Sequence, residues 1–175
     1  TAKEVYVADG YGNKRVIVFD SETGKFKRMW GAFGNPPPPT FAANAPTPQA
    51  QTTPDGPPEF GLPHAIKVSR DGVVYVADRI NNRIQVFDTE GKFLRKMEGM
   101  APYGLFIAPD DTLFVADGRA NRVLHLSNDG KPLTAWGEKG KAPGKFEMPH
   151  AVAVGSDGAV YVGEITNARV QKFVP

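Results

Sequence analysis

The sequence predicts an all-β repeat fold, a β-propeller of short antiparallel blades. Three observations predict it. Three segments of the chain align with one another at a spacing of about 40 residues, the period of four-stranded propeller blades. They are Leu62–Phe87 (LPHAIKVSRDGVVYVADRINNRIQVF), Ala101–Leu126 (APYGLFIAPDDTLFVADGRANRVLHL) and Met148–Phe173 (MPHAVAVGSDGAVYVGEITNARVQKF). Each segment breaks into short β-branched runs with alternating apolar positions. The runs are separated by Asp-Gly or Glu-Gly pairs (Asp71-Gly72, Glu90-Gly91, Asp129-Gly130, Asp157-Gly158), which tolerate the positive φ of tight hairpins.

Four strands, named a to d from channel to rim, account for one unit. In the first full unit, strand a is expected over Ala65–Val68, b over Val73–Ala77, c over Ile84–Phe87 and d over Phe93–Met97. Leu133–Trp136 is strand d of the next unit. The opening stretch VYVADGYGNKRVIVF, Val5–Phe19, matches only the second half of a unit. An acidic residue closes strand b and an arginine opens strand c: Asp9 and Arg15, Asp78 and Arg83, Asp117 and Arg122, Glu164 and Arg169. A charge-assisted hydrogen bond between them is expected to pin the b–c turn.

This gives two full blades and two partial ones within a single domain, residues 1–175. The first lacks strand a and the last lacks strand d. Propellers avoid open edges, so the remaining blades of a ring of about six are expected from sequence before Thr1 or from another chain. Residues 35–58 interrupt the repeat and hold nine of the sixteen prolines. Proline lacks the donor a sheet needs, so this stretch is expected to be an irregular inter-blade insertion lying over the ligand face.

Composition narrows the function. The chain has 175 residues, 41% hydrophobic and 23% charged, with a formal charge of +2. Acidic and basic residues are interspersed and no basic run tracks a phosphate backbone, so no nucleic-acid partner is expected. No apolar run approaches the roughly 20 residues of a membrane helix. There is no cysteine, so stability does not rest on disulfides.

Up-and-down topology places d–a connections and b–c loops at one end of the blades. That end receives His64 and His150 at the starts of strands a, each within Pro-His-Ala, with Tyr103 at the same place in the unit between. It also receives Tyr11, in a b–c loop one residue longer than the others, and Arg79 and Arg119. Imidazoles on alternate blades facing one channel mouth could bind zinc with an open position for water; alternatively each hydrogen-bonds a neighbouring loop. Arg79 could grip a carboxylate or be a surface arginine. Tyr11 could reach the channel or be an exposed tyrosine. His125, on strand c, is read as a packing or surface residue.

The acid–Arg signature, with Trp30-Gly31 and Trp136-Gly137 ending strands d, resembles the NHL-repeat family over nearly the whole chain except residues 35–58. Four motifs are more specific: ADGYGNKRV around Tyr11, PEFGLPHAIKV around His64, VADRINNRIQVF around Arg79 and FEMPHAVAVGSDGAVYVG around His150. They resemble the peptidyl-α-hydroxyglycine α-amidating lyase branch. The resemblance implies a zinc lyase that cleaves a peptidyl or small carbinolamide to an amide and glyoxylate. It makes His64 and His150 two of three zinc ligands, the third lying upstream of Thr1. It makes Tyr11 the catalytic phenol, and Arg79 the residue that binds the substrate carboxylate or organises the site. It also implies a secreted or periplasmic setting. The family's structural calcium is not carried over, because Ala151 stands where its acidic residue belongs; Gly12 replaces a disulfide cysteine of the animal enzymes.

Two functions therefore compete. One is the zinc lyase. The other is a non-catalytic NHL scaffold that binds a peptide or protein on its top face and needs no zinc at His64 and His150. RNA binding would need a basic, aromatic face, which the mixed charge does not supply.

Overall fold

The structure, a computed structural model, describes residues 3–39 and 55–174. It is built from fourteen strands in four antiparallel sheets, each running in simple up-and-down order. Blade 1 holds β1 (Glu4–Asp9), β2 (Arg15–Asp20) and β3 (Phe26–Trp30). Blade 2 holds β4 (Pro63–Val68), β5 (Val74–Asp78), β6 (Arg83–Phe87) and β7 (Phe93–Glu98). Blade 3 holds β8 (Pro102–Ile107), β9 (Leu113–Asp117), β10 (Arg122–Leu126) and β11 (Pro132–Trp136), and blade 4 holds β12 (Pro149–Val154), β13 (Val160–Glu164) and β14 (Arg169–Phe173). Apart from a 3-10 turn at Ala32–Gly34, no helix occurs among the described residues. None of them forms a helix long and apolar enough to cross a membrane.

The sheets are those read from the sequence: blade 1 consists of strands b, c and d, and blade 4 of strands a, b and c. The turns also follow the expected chemistry. Gly72, Gly91, Gly130 and Gly158 all have positive φ, between +78° and +93°. In blade 3 Asp111 takes the left-handed position instead, at φ +63°, a conformation that Asp tolerates better than most residues.

Two compact units divide the chain, Thr1–Lys96 and Met97–Pro175. In the first, β1 lies beside β4, and the core forms where blades 1 and 2 meet. Val16, Val18, Trp30 and Ala32 pack with Phe60, Val74, Val76 and Phe87. Strands β5 and β6 are buried along their whole length, as expected of central strands covered on both faces. In the second unit β8 and β9 lie beside β12, and Ala116 and Val123 pack with Phe146, Val152, Val160 and Val162. Trp30 and Trp136, at the ends of strands d, are ring partners of their own cores: Trp30 lies 5.9 Å from Phe87 and Trp136 lies 5.8 Å from Phe173, centroid to centroid.

The acid–Arg pairs form in all four blades. Nε donates to the carboxylate at 2.8 Å in Arg15–Asp9 and Arg83–Asp78, 2.9 Å in Arg122–Asp117 and 2.6 Å in Arg169–Glu164. The carboxylate also does something the sequence does not reveal. It accepts backbone N–H groups from the segment that leads into strand a: Gly61 and Leu62 onto Asp78, Ala101 onto Asp117, Glu147 onto Glu164. Asp78, Asp117 and Glu164 therefore each tie three chain segments together.

A second staple appears where the connection into strand a is long. The Arg83 guanidinium donates to the carbonyls of Pro57 and Glu59, and Gln85 Oε1 accepts the Phe33 amide. In blade 4 Arg169 donates to the carbonyls of Lys141 and Lys145, and Gln171 Oε1 accepts the Gly144 amide. These contacts put d–a connections and b–c loops at the same end of the blade, as the topology requires. Most of the proline-rich insertion, residues 40–54, lies outside the described residues, and with it the expected placement over the ligand face. Its described flank at Asp55–Pro58 is held by Arg83.

Candidate functional site

The site begins with an irregularity at the start of strand a. Pro63 pairs with Asp78, but Ala65 pairs with Ala77; Pro102 pairs with Asp117, but Gly104 with Ala116; Pro149 pairs with Glu164, but Ala151 with Gly163. One residue in each strand is left out of register, and these residues are His64, Tyr103 and His150. A bulge of this kind bends the strand and re-aims the extra side chain. Proline just before it has no N–H to give to the ladder, and the acid of strand b holds the amides before the proline. The same local chemistry therefore presents an unpaired side chain at the same place in three blades.

In the first unit three of the predicted site residues meet. The Tyr11 hydroxyl lies 3.2 Å from His64 Nε2, and their ring centroids are 5.9 Å apart. An Arg79 guanidinium N–H donates to the Tyr11 oxygen at 3.5 Å, and the guanidinium carbon sits 5.9 Å from the phenol centroid. Tyr11 is otherwise open, 79% exposed. The three come from separate stretches: the b–c loop of blade 1, the bulge of β4, and the residue after Asp78 at the end of β5. Arg79 is fixed from its backbone, because its amide donates to the Leu62 carbonyl at 3.0 Å, just before the bulge. The Tyr11 loop comes so close to β4 that a Cβ on Gly10 would sit 2.2 Å from the Pro63 carbonyl oxygen. Only glycine permits this approach.

His150 lies in the second unit. Its ring partner is Tyr103, edge-on at a centroid distance of 5.4 Å. The sequence marks Tyr103 only as the residue standing in the place of a histidine; its packing against the histidine of the next blade is new. Burial pushes the neighbouring Glu164 carboxyl up, but hydrogen bonds from Arg169, the Glu147 amide, Asn167 and Gln171 outweigh it and hold the group below the usual carboxylate range. Glu164 thus stays ionised under the β12 bulge. His125 stacks on Phe114 at 4.2 Å and lies 2.9 Å from the Thr112 hydroxyl, a packing residue as expected.

The donor chemistry at His64 suits zinc, which takes imidazole nitrogen and oxygen ligands. Among the described residues, no three His, Asp or Glu side chains come together as a metal-holding group. The Tyr11–His64 contact is compatible with either expectation for the histidine, because a b–c loop is also a neighbouring loop.

The comparisons with known proteins agree with the fold and the motifs. The NHL repeat model matches residues 60–87 and 146–173, blades 2 and 4. The chain is 32% identical to the Xenopus laevis peptidyl-glycine alpha-amidating monooxygenase B over 97% of its own length and 19% of that protein. It is 25% identical to a Caenorhabditis elegans protein named as a probable peptidyl-alpha-hydroxyglycine alpha-amidating lyase, over 95% of the chain and 45% of that protein. It thus spans less than half of either relative. The WD40 β-propeller domain of Doa1 superposes with a TM-score of 0.64 at 14% identity, covering 98% of the chain and 46% of that domain's chain, which supports the propeller fold alone. The chain therefore belongs to the NHL-repeat β-propellers and resembles their peptidyl-α-hydroxyglycine α-amidating lyase branch.

Proposed function

We propose that this chain carries part of the catalytic face of an amidating lyase, which splits a peptidyl-α-hydroxyglycine into a peptide amide and glyoxylate. The observation that carries the reading is the meeting of Tyr11, His64 and Arg79, three residues from three motifs shared with that branch.

Each residue has a task suited to this substrate. The substrate ends in a carboxylate, and Arg79 offers a planar donor fork that binds a carboxylate in two places. With the carboxylate there, the adjacent carbinol hydroxyl comes within reach of the Tyr11 oxygen. The reaction breaks the C–N bond. Its electron pair goes to the amide nitrogen, the hydroxyl oxygen becomes the aldehyde oxygen of glyoxylate, and one proton moves from that hydroxyl to the nitrogen. Tyr11, a phenol beside an imidazole, relays that proton. His64 orients the phenol. Zinc, toward which His64 offers an imidazole nitrogen, would supply Lewis acidity toward the carbinol hydroxyl.

The test uses the full-length protein, with metal analysis and glyoxylate release from a peptidyl-α-hydroxyglycine. His64→Ala is expected to remove zinc and turnover together. Tyr11→Phe is expected to keep the metal and slow turnover by about 10²–10⁴-fold, the usual contribution of a proton-transfer group. The scaffold reading draws on a different aspect of the same contact, since His64 already has a loop partner without metal. A metal-free protein that releases no glyoxylate would decide for the scaffold.

A further inference from the structure

We infer that the Lys14–Glu59 ion pair is a positioning strut that sets the Tyr11 oxygen against His64; the inference rests on the lyase reading for its catalytic consequence.

Glu59 is the point where the three stretches of the site converge. Its carboxylate accepts from Lys14 Nζ at 2.7 Å, and Lys14 lies in the loop that carries Tyr11. Its backbone carbonyl accepts from Asn81 Nδ2 at 2.9 Å and from the Arg83 guanidinium at 3.1 Å, both flanking the loop that begins with Arg79. Glu59 itself precedes the β4 bulge by five residues, joined to it through Gly61 and Leu62, whose amides Asp78 holds. One residue therefore touches the loop of each neighbour and leads directly to His64.

The backbone half of this hub is a feature of the repeat. In blade 4, Lys145 occupies the place of Glu59, and its carbonyl likewise accepts from Arg169 and from Gln171. The side-chain half is not. Lys145 turns back to Glu138 within its own connection, whereas Glu59 reaches across to blade 1. The Lys14 side departs from the repeat as well. The residue before the strand-c arginine is left-handed in the other three loops, with φ of +53° at Asn82, +54° at Asn121 and +48° at Ala168. The longer Tyr11 loop frees Lys14 from that turn. Asn13 and Arg15, on either side of it, bond Asp9, so the closing end of the loop is anchored on blade 1 while Lys14, its last residue, ties it to the segment that leads into β4. The Lys14 side chain is only 11% exposed and Glu59 is 37% exposed, so the pair is shielded on the lysine side. What it holds is a loop whose functional phenol is itself 79% exposed and needs an external tether to keep one position.

The experiment compares Glu59→Gln, Lys14→Met and the charge-swapped Lys14→Glu/Glu59→Lys in the full-length protein. The direct readout is the His64 ring resonance in a histidine-labelled NMR spectrum, referenced to Tyr11→Phe. Each single variant is expected to move that resonance toward its Tyr11→Phe position, with the fold intact by circular dichroism, and the swap to move it back. In turnover, the single variants are expected to lower kcat about 10-fold and leave KM, set at Arg79, within about 2-fold. A His64 resonance unchanged in both single variants overturns the strut, whatever the activity. A shifted resonance with no turnover even in the unmodified protein would keep the strut and remove the lyase reading. A loss of fold in Glu59→Gln moves the test to Lys14→Met, which leaves the Glu59 backbone hub in place.

Discussion

Asp78→Asn is the sharpest probe of what holds the blades. The Asp78 carboxylate accepts four hydrogen bonds: from the Gly61 and Leu62 amides on one oxygen, and from Arg83 Nε and Asn81 Nδ2 on the other. Asp78 and Arg83 are 0% and 1% exposed. Asparagine keeps the shape and can still accept the two amides, but its NH₂ then faces two donors and the Arg83 charge loses its counter-ion. Removing one partner of a buried pair costs about 3–5 kcal/mol. With an m-value of about 2 kcal/mol/M in urea, that is a fall of about 2 M in the unfolding midpoint. The internal control is Asp9→Asn. It breaks the same Nε–carboxylate bond, at the same 2.8 Å, where the side chains are 28% and 24% exposed. Water screens that pair, so its loss is expected to cost about 0.2–1 kcal/mol, or under about 0.5 M urea. Urea titration followed by circular dichroism measures both. Equal midpoint shifts in the two variants would refute the reasoning, because burial would then not be what sets the cost.

Other perturbations follow from the same structure. Gly10→Ala puts a methyl against the Pro63 carbonyl and is expected to destabilise by about 1–3 kcal/mol and to separate Tyr11 from His64, read as a lowered Tm and a shifted His64 resonance. The paired donors of Arg28, with Lys27 and the Tyr6 hydroxyl, hold the Glu4 carboxyl well below the usual carboxylate range. The stability it contributes is therefore complete above the unfolded-state pKa of about 4.3 and lost as the pH falls below it, so Glu4→Gln should flatten the acid limb of the unfolding curve. Burial and the hydrogen bond to Glu4 push the Tyr6 phenol up to about 12. That contribution is present below pH about 10 and lost between about 10 and about 12, and Tyr6→Phe should delete a late-titrating phenol from the ultraviolet absorbance titration. Arg79→Lys, which keeps the charge but loses the fork, is expected to raise KM for a carboxylate substrate about 10-fold or more, while Arg79→Met raises it further.

The blades were legible in the sequence because the repeat supplies three aligned copies of each strand, and because each hairpin carries its own turn residue. The acid–Arg pairs were legible for the same reason. That Tyr11, His64 and Arg79 share one end of the first unit followed from connectivity, because strand direction fixes which loops can meet; their contact did not, since an exposed tyrosine and a surface arginine fit the same connectivity. Other features had no sequence signature. The slip at His64, Tyr103 and His150 falls at the first residue or two of a strand, where too little alternation exists to show a change of phase. The second oxygen of Asp78, Asp117 and Glu164 binds backbone amides, whose positions carry no residue identity. Gln85 and Gln171 recur two residues after an arginine, but nothing in that spacing says they hold a distant connection. The Lys14–Glu59 pair joins residues 45 positions apart, a distance at which the sequence offers a large choice of partners.

The bulge at the head of strand a separates architecture from chemistry at a single codon. Everything that builds the irregularity is supplied by other positions: the proline before it, the acid and arginine of the b–c turn, and the amides those hold. The side chain at the bulge itself contributes nothing to the ladder, so it can be exchanged without rewriting the blade, as the histidine–tyrosine–histidine succession across blades 2, 3 and 4 already illustrates. A chain that grows by copying such units acquires, with each copy, one more freely assignable position at the head of strand a. New reactivity then comes from point changes on a settled frame.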